Sequence, residues 1–124
     1  MLKTKIAVFV SGGGTNFEAL INAQENGKIP HGEIVLMVSS SKTAYALKRA
    51  ENHGIKSVVC SKKELGSQES FEEEILKNLE ENDIQLIVLA GFMSILSKEF
   101  TKKYENRIIN IHPSLIPSFC GEGF

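Results

Sequence analysis

Apolar and polar positions follow two alternating patterns along this 124-residue chain. Short, nearly continuous apolar runs alternate with stretches in which apolar residues recur every three or four positions, the period of an amphipathic helix. The apolar runs predict five strands, at residues 5–10, 33–38, 55–60, 84–90 and 107–112. The periodic stretches predict four helices, at residues 17–24, 43–53, 70–82 and 97–104.

This alternation of strands and helices predicts a single α/β domain spanning residues 1–124, with a Rossmann-like parallel sheet and helices on both of its faces. The expected strand order is 3-2-1-4-5. In such a sheet, ligands bind where the direction of strand addition reverses, here between the first and fourth strands. We therefore expect the loops that follow the first, fourth and fifth strands to converge at the carboxyl edge.

Composition narrows the class of protein. Hydrophobic residues make up 42% and charged residues 23% of the chain, and the formal net charge is −1. This balance argues against nucleic acid as a partner. The apolar runs are too short to cross a membrane, and the first residues lack a signal-peptide pattern, so a cytoplasmic location is expected. Cys60 and Cys120 are expected to be reduced thiols, and their spacing does not suggest a zinc site.

A glycine-rich turn, Ser11-Gly12-Gly13-Gly14-Thr15-Asn16, joins the first strand to the first helix. It is not a Walker A loop, because no Gly-Lys-Ser/Thr follows. It is also a poor dinucleotide fingerprint, because Phe17 takes the third glycine position and the second strand ends in serines. Three glycines could simply form a tight turn. The run of three followed by Thr-Asn favours backbone N–H groups that bind a phosphate.

The segment Gly91-Phe92-Met93-Ser94-Ile95-Leu96 follows the fourth strand and allows two interpretations. On residue types alone it is a lead-in to the next helix, with its apolar side chains in the core. Its position at the predicted switch point favours a ligand-binding loop.

The fifth strand ends in Asn110-Ile111-His112-Pro113 and has the pattern of a buried strand. Alternation places Asn110 and His112 on one face, and Pro113 ends the strand. Two polar side chains there are costly unless they have partners. A lone histidine most often has a structural role. Asn110 on the same face, close to the predicted anion-binding turn, favours a catalytic role for His112.

Other polar residues suggest no function. His31 lies in a predicted loop and His53 at a helix end. The run Glu72-Glu73-Glu74 is expected to form a solvated helix face near a helix N-terminus.

The residues after His112 include several apolar side chains with no predicted element left to cover them: Leu115, Ile116, Phe119 and Phe124. Such a tail is unusual for a complete domain. The sequence therefore suggests the first part of a longer domain.

Taken together, these motifs resemble those of the glycinamide ribonucleotide formyltransferases, folate-dependent enzymes of purine biosynthesis. The resemblance covers the whole chain and is carried by the glycine-rich turn, by Leu89-Ala90-Gly91-Phe92-Met93, and by Asn110-Ile111-His112-Pro113-Ser114. The last motif is shared with other enzymes that use formyltetrahydrofolate. The first two are what narrow the resemblance to this family.

The resemblance implies transfer of a formyl group from 10-formyltetrahydrofolate to the amine of glycinamide ribonucleotide, without a metal. It implies that the ribonucleotide phosphate is bound by Gly13, Gly14, Thr15 and Asn16. It implies a folate site formed by Gln68, Met93, Ser94, Ile95, Leu96 and Asn110. Asn110 would also stabilise the oxyanion, and His112 would be the general acid. The expected partners are small-molecule substrates, with a homodimer as a candidate assembly.

Two departures from the family pattern carry consequences. The family often has an arginine where this chain has Ser94 and a second arginine near the position of Gln68, so the folate would be held differently. The family's catalytic aspartate lies beyond Phe124, so little or no activity is expected from these 124 residues.

Two alternatives remain open. A hydrolase that releases formate from the same folate would use Asn110 and His112 without a phosphate-binding turn. A non-catalytic nucleotide-binding module of Rossmann type would bind NAD and not the ribonucleotide.

Overall fold

The computed structural model describes residues 3–111. The strands are β1 (Thr4–Val10), β2 (Gly32–Ser39), β3 (Lys56–Val59), β4 (Leu86–Ala90) and β5 (Ile108–Ile111). The helices are α1 (Thr15–Glu25), α2 (Ala46–Asn52), α3 (Lys62–Leu65), α4 (Gln68–Glu81) and α5 (Lys98–Lys103).

The five strands form one parallel sheet in the order β3-β2-β1-β4-β5, which confirms the predicted fold class and strand order. The central strand β1 is flanked by β2 and β4, so the direction of strand addition reverses there. Because all strands are parallel, their carboxyl ends lie at one edge of the sheet. The loops after β1, β2 and β4 therefore leave from this common edge.

Two hydrophobic cores lie on opposite faces of the sheet. The first packs α4 and α5 against strand residues such as Phe9 and Ile87. The second packs α1 and α2 against alternate strand residues such as Val8 and Val88. Neighbouring residues of β4 thus face different cores, as expected for a strand that helices cover on both sides.

Several element boundaries differ from the predicted ones. The second helix begins at Ala46 and not at residue 43, because Ser41 accepts a hydrogen bond from the Thr43 amide and the chain turns there. The short helix α3 was not predicted, although Ser61 caps its N-terminus. Ser67 caps α4, which starts two residues earlier than expected, and Ser97 caps α5.

The prediction that the fifth strand is buried is wrong for the part that the structure describes. Ile109 is 49% exposed and Asn110 is exposed, whereas Ile108 and Ile111 are half-buried. The physical reason is position, because within residues 3–111 β5 pairs with β4 alone and lies at the edge of the sheet. An apolar run does not distinguish an edge strand from a central one.

Some predicted features lie outside the described residues, namely His112, Cys120 and the apolar side chains of the tail. Cys60 is buried and free, and burial raises the pKa of its thiol to about 11. Between residues 3 and 111, no helix is long and apolar enough to cross a membrane.

Candidate active site

The glycine-rich turn connects the end of β1 to the start of α1. Gly14 is the N-cap of α1 and has φ +79°, in the left-handed region that favours glycine. A Cβ on Gly14 would lie 2.7 Å from the Ala46 Cβ, so α2 leaves no room for a side chain. At Gly12 and Gly13, by contrast, a Cβ would meet nothing within 4 Å. The turn is therefore closed toward α2 and open on its outer side.

The first turn of α1 follows the glycine-rich turn directly. No side chain of the described residues caps its leading amides, since the N-cap is a glycine. The first amides of a helix have no partner within the helix, and they attract anions. Thr15 is exposed and Asn16 half-buried, so both hydroxyl and carboxamide groups lie beside these amides. The structure thus brings together the four residues predicted to bind phosphate.

Ser11 joins three loops at the carboxyl edge. Its Oγ accepts a hydrogen bond from the Met93 amide at 2.7 Å and another from the Ser40 hydroxyl at 2.7 Å. These contacts connect the loops after β1, β2 and β4. Convergence of the loops after β1 and β4 was predicted, whereas the contribution of Ser40 was not. The loop after β5 begins at a residue that the structure does not describe.

The segment from Gly91 to Ser97 has an alternating arrangement. Phe92 and Leu96 pack against the first core, and the Phe92 ring meets Phe9 edge-on at 5.3 Å between centroids. Met93 and Ile95 point away from the core and are 82% and 80% exposed. The core interpretation thus holds for Phe92 and Leu96, whereas ligand binding by the exposed Met93 and Ile95 stays a prediction. Two large exposed apolar side chains in one loop mark a surface suited to an apolar ligand.

Glu72 and Gln68 of α4 hold this segment in place. The Glu72 carboxylate accepts hydrogen bonds from the Ser97 amide at 2.5 Å, the Ser97 hydroxyl at 2.6 Å and the Gln68 Nε2 at 2.6 Å. Gln68 Nε2 also donates to the Ile95 carbonyl at 2.8 Å. Gln68 thus lies beside the predicted folate residues, and its side-chain amide nitrogen already donates to Glu72 and to Ile95.

Glu72 corrects the prediction of a solvated acidic helix face. Its side chain is buried, while the neighbouring Glu73 is exposed. Burial opposes ionisation, but the hydrogen bonds from Ser97 and Gln68 outweigh it and hold the pKa of Glu72 below its ordinary value. The carboxylate therefore stays charged as the acceptor that fixes the start of α5.

Asn110 lies near the carboxyl end of β5. It is in register with Leu89 of β4, so it belongs to the sheet face that α4 and α5 cover. This is the same face on which Phe92 and Leu96 pack. Its side chain is exposed and does not join the core formed by the described residues on this face.

A cluster of charged side chains lies behind the glycine-rich turn. His53 of the α2 C-cap contacts Glu18 at 2.8 Å through Nε2 and Glu25 at 3.1 Å through Nδ1. A neutral imidazole has one N–H, so both hydrogen bonds require the charged ring. Accordingly, the hydrogen bonds to Glu18 and Glu25 raise the pKa of His53, and the bond from His53 lowers the pKa of Glu18. His53 therefore has a structural role that the sequence did not suggest.

Comparisons with known proteins identify the family. A family model described as formyl transferase matches residues 4–123. The chain belongs to the formyl transferase family. The fold of this formyl transferase chain is shared with glycinamide ribonucleotide transformylase 1 from Geobacillus kaustophilus, with a TM-score of 0.85 and 38% identity over 97% of the chain and 63% of that structure.

Sequence relatives point the same way. The chain is 49% identical to the trifunctional purine biosynthetic protein adenosine-3 of Gallus gallus, over 96% of this chain and 12% of that protein. It is 39% identical to the phosphoribosylglycinamide formyltransferase of Haemophilus influenzae, over 94% of this chain and 55% of that protein. The formyl transferase chain thus spans about half of the Haemophilus relative and a much smaller part of the chicken one.

Sequence reasoning missed the supporting roles of four residues of this formyl transferase. They are Ser11 and Ser40, which join the loops, Glu72, and Arg49, whose Nε–H donates to the Gly13 carbonyl oxygen. A signal did exist for Glu72. Residues 68, 72, 75 and 79 fall on one helical face, so an acid at position 72 is aligned with the buried Ile75 and Leu79. No comparable local pattern marks the other three.

Proposed function

We propose that this chain forms the ribonucleotide- and folate-binding part of a phosphoribosylglycinamide formyltransferase. The reaction would move a formyl group from 10-formyltetrahydrofolate to the amine of glycinamide ribonucleotide. Both substrates are small molecules, and no metal takes part. The proposal rests on family membership and on the chemistry of two adjacent surfaces at the carboxyl edge.

One observation carries the proposal. The Ser11 hydroxyl links the glycine-rich turn to the Met93 amide, so the glycine-rich turn lies beside an exposed apolar loop. A reaction between a phosphorylated amine and an aromatic one-carbon carrier needs these two surfaces next to each other. A simple nucleotide-binding module has no need for the second surface.

The phosphate end would be bound by Gly13, Gly14, Thr15 and Asn16. Their contribution is backbone N–H groups at a helix N-terminus, with the Thr15 hydroxyl and the Asn16 carboxamide as additional donors. The open outer side of Gly12 and Gly13 leaves room for the anion.

The folate end would be bound by Met93, Ser94, Ile95 and Leu96, with Gln68 and Asn110 at its border. The exposed side chains of Met93 and Ile95 suit the faces of an aromatic ring, and the loop backbone offers hydrogen bonds to its polar edge. Because Gln68 donates to Ile95 and Glu72, its part would be to hold the loop.

10-Formyltetrahydrofolate supplies the formyl carbon when it is bound. Asn110 would donate its carboxamide N–H to the formyl oxygen as negative charge develops there, which can be worth ~3 kcal/mol. His112 would act as the general acid that protonates the leaving nitrogen, contributing roughly 100- to 10,000-fold. The new C–N bond forms on the ribonucleotide amine, which loses a proton, while the bond to the folate nitrogen breaks.

Binding to the ¹⁵N-labelled full chain tests the proposal directly. Glycinamide ribonucleotide should shift the amide signals of residues 13–16, and a non-transferring folate analogue should shift those of residues 93–96. NAD binding to the turn without ribonucleotide binding would instead support the nucleotide-binding module. Folate binding without ribonucleotide binding would support the hydrolase.

A kinetic test applies to any catalytically active form of the protein. His112→Ala should lower the turnover about 100-fold or more, while ribonucleotide affinity stays near that of the wild type. A large loss of ribonucleotide affinity with unchanged turnover would contradict the role given to His112.

A further inference from the structure

We infer that Arg49 of α2 is a positioning residue that aims the Gly14 N–H at the bound phosphate. The inference rests on the proposed function, since it takes the ribonucleotide phosphate as the anion of the glycine-rich turn. Arg49 would act through the Gly13–Gly14 peptide and would not touch the substrate itself.

The contacts come from α2. The Arg49 Nε–H donates to the Gly13 carbonyl oxygen at 2.7 Å. The Ala46 amide donates to the Gly12 carbonyl oxygen at 3.4 Å, and the Ala46 side chain fills the space beside Gly14. Two successive carbonyl groups of the turn are thus directed toward α2.

The direction of each carbonyl group also sets the direction of the amide N–H in the same peptide. In a planar trans peptide, the C=O of one residue and the N–H of the next point in opposite directions. Because the Gly13 carbonyl faces α2, the Gly14 N–H faces away from it. The same reasoning applied to Gly12 directs the Gly13 N–H away from α2. A Cβ added to Gly13 would meet no atom within 4 Å, so other residues do not crowd this part of the turn.

Arg49 is itself fixed in place. Its guanidinium lies over the Tyr45 ring at 5.0 Å from the centroid, and Nη1 contacts Glu18 at 3.4 Å. Glu18 is held in turn by His53 at 2.8 Å. The side chain is only 24% exposed, and its charge is paired. Arg49 therefore serves as a rigid donor to the turn and not as a free positive charge for the phosphate.

The experiment compares two arginines that make the same two kinds of contact, a tyrosine ring and a backbone carbonyl. Arg107 also stacks on a tyrosine ring, Tyr104 at 4.9 Å, and its Nη2 donates to a backbone carbonyl, that of Lys103 at 3.0 Å. It precedes β5, at the amino end of that strand and so far from the turn. Arg49→Met and Arg107→Met each remove one such side chain, and Arg49→Lys restores a charge without the two-armed fork.

The full chain is titrated with glycinamide ribonucleotide, with inorganic phosphate and with a folate analogue, and ¹⁵N amide shifts and far-UV circular dichroism are recorded. We expect Arg49→Met to raise the ribonucleotide Kd about 10-fold and to abolish the ligand-induced shift at Gly14. The reason is that the Gly14 N–H would no longer point at the phosphate, so their charge-assisted hydrogen bond would be lost. Folate binding should stay unchanged. Arg107→Met should match the wild type, and Arg49→Lys should recover only part of the affinity.

Three results would overturn the inference. They are an unchanged Kd and Gly14 shift in Arg49→Met, an equal loss in both arginine variants, and full recovery by Arg49→Lys, which would indicate charge alone. A wild-type chain that binds neither ribonucleotide nor phosphate at the turn would overturn it together with the proposed function. Phosphate binding that depends on Arg49, in a chain that rejects the ribonucleotide, would support the inference and refute the substrate.

Discussion

The glycine-rich turn and the loop from Gly91 to Ser97 lie side by side at the carboxyl edge, yet they are built on different principles. The turn presents backbone amides, and a charged cluster on α1 and α2 supports it from behind. The loop presents the apolar side chains of Met93 and Ile95, and the buried carboxylate of Glu72 supports it. Backbone amides need a fixed direction, whereas an apolar surface needs only a fixed position.

This difference makes the two surfaces separable by mutation. Damage to the turn should weaken ribonucleotide binding and leave folate binding intact, and damage to the loop should do the reverse. Ser11 is the residue whose side-chain hydrogen bond joins the two surfaces.

The largest effect is expected for Gly14→Ala. The left-handed φ and the 2.7 Å approach to the Ala46 Cβ should together displace the turn. We expect the free energy of unfolding to fall by roughly 2–4 kcal/mol. Ribonucleotide affinity should fall as well. Chemical denaturation measures the loss of stability, and ribonucleotide titration measures the loss of affinity.

Gly27→Ala is the matched control for Gly14→Ala. Gly27 has φ +76°, but a methyl group added there would meet nothing within 4 Å. Only the backbone conformation is then penalised, so a loss of about 1 kcal/mol is expected. Equal losses in both variants would show that α2 does not constrain the turn.

Glu72→Gln should come next. The amide keeps the shape but replaces one acceptor oxygen by a donor that faces other donors, so we expect a loss of roughly 1–3 kcal/mol in the free energy of unfolding. Folate affinity should fall as the loop loosens, and ribonucleotide affinity should not. Glu73 lies one residue along in the same acidic run but is exposed, so Glu73→Gln should change neither the free energy of unfolding nor the folate affinity. A loss of ribonucleotide affinity in Glu72→Gln would break the proposed separation.

The double variant Met93→Ser, Ile95→Ser should leave stability within about 0.5 kcal/mol, because both side chains are already exposed. Its folate affinity should fall about 10-fold or more, since less apolar surface is buried on binding. Leu65→Ser, on α3, is the control for an exposed apolar residue elsewhere. Unchanged folate binding would remove the loop from the site.

The smallest expected effect is the pH dependence of stability, which runs in opposite directions for His53, behind the turn, and Glu72, behind the loop. The pKa of His53 is raised, so its contribution to stability is complete below its ordinary value near 6.5 and is lost as the pH rises through the higher folded value. The groups that face it are Glu18 and Glu25 on α1, and Arg49 shares Glu18. The pKa of Glu72 is lowered, so its contribution is complete above its ordinary value near 4.5 and is lost as the pH falls through the lower folded value.

Stability curves of the wild type, His53→Gln and Glu72→Gln across about pH 3 to 9 measure both contributions. The difference between wild type and His53→Gln should shrink toward alkaline pH, and the difference for Glu72→Gln should shrink toward acid. Curves that run parallel to the wild type throughout would show that neither group changes its pKa on folding.

Much of the fold followed from the sequence because its signals are local. Residues such as Phe71, Ile75 and Leu79 show the helical period, and β1 and β4 are apolar runs between turn residues. The alternation of these elements then leaves few topologies, and the strand order 3-2-1-4-5 is among them. The glycine-rich turn was also found, because three glycines before a helix are visible within six residues.

Tertiary structure decided what supports those elements and which surfaces stay exposed. Met93 binds Ser11 across 82 positions, Arg49 binds Gly13 across 36, and Ser97 binds Glu72 across 25. Local periodicity carries no information about partners so far apart. It aligns Glu72 with the buried helix face, but it does not name Ser97 as the partner of the carboxylate.

The edge position of β5 was implied by the strand order, yet the exposure of Ile109 and Asn110 became clear only when the sheet was assembled. The sequence thus specified the elements and their order, whereas packing selected the side chains that fix the site. The reason is that burial and hydrogen bonding depend on neighbours that only the folded chain brings together.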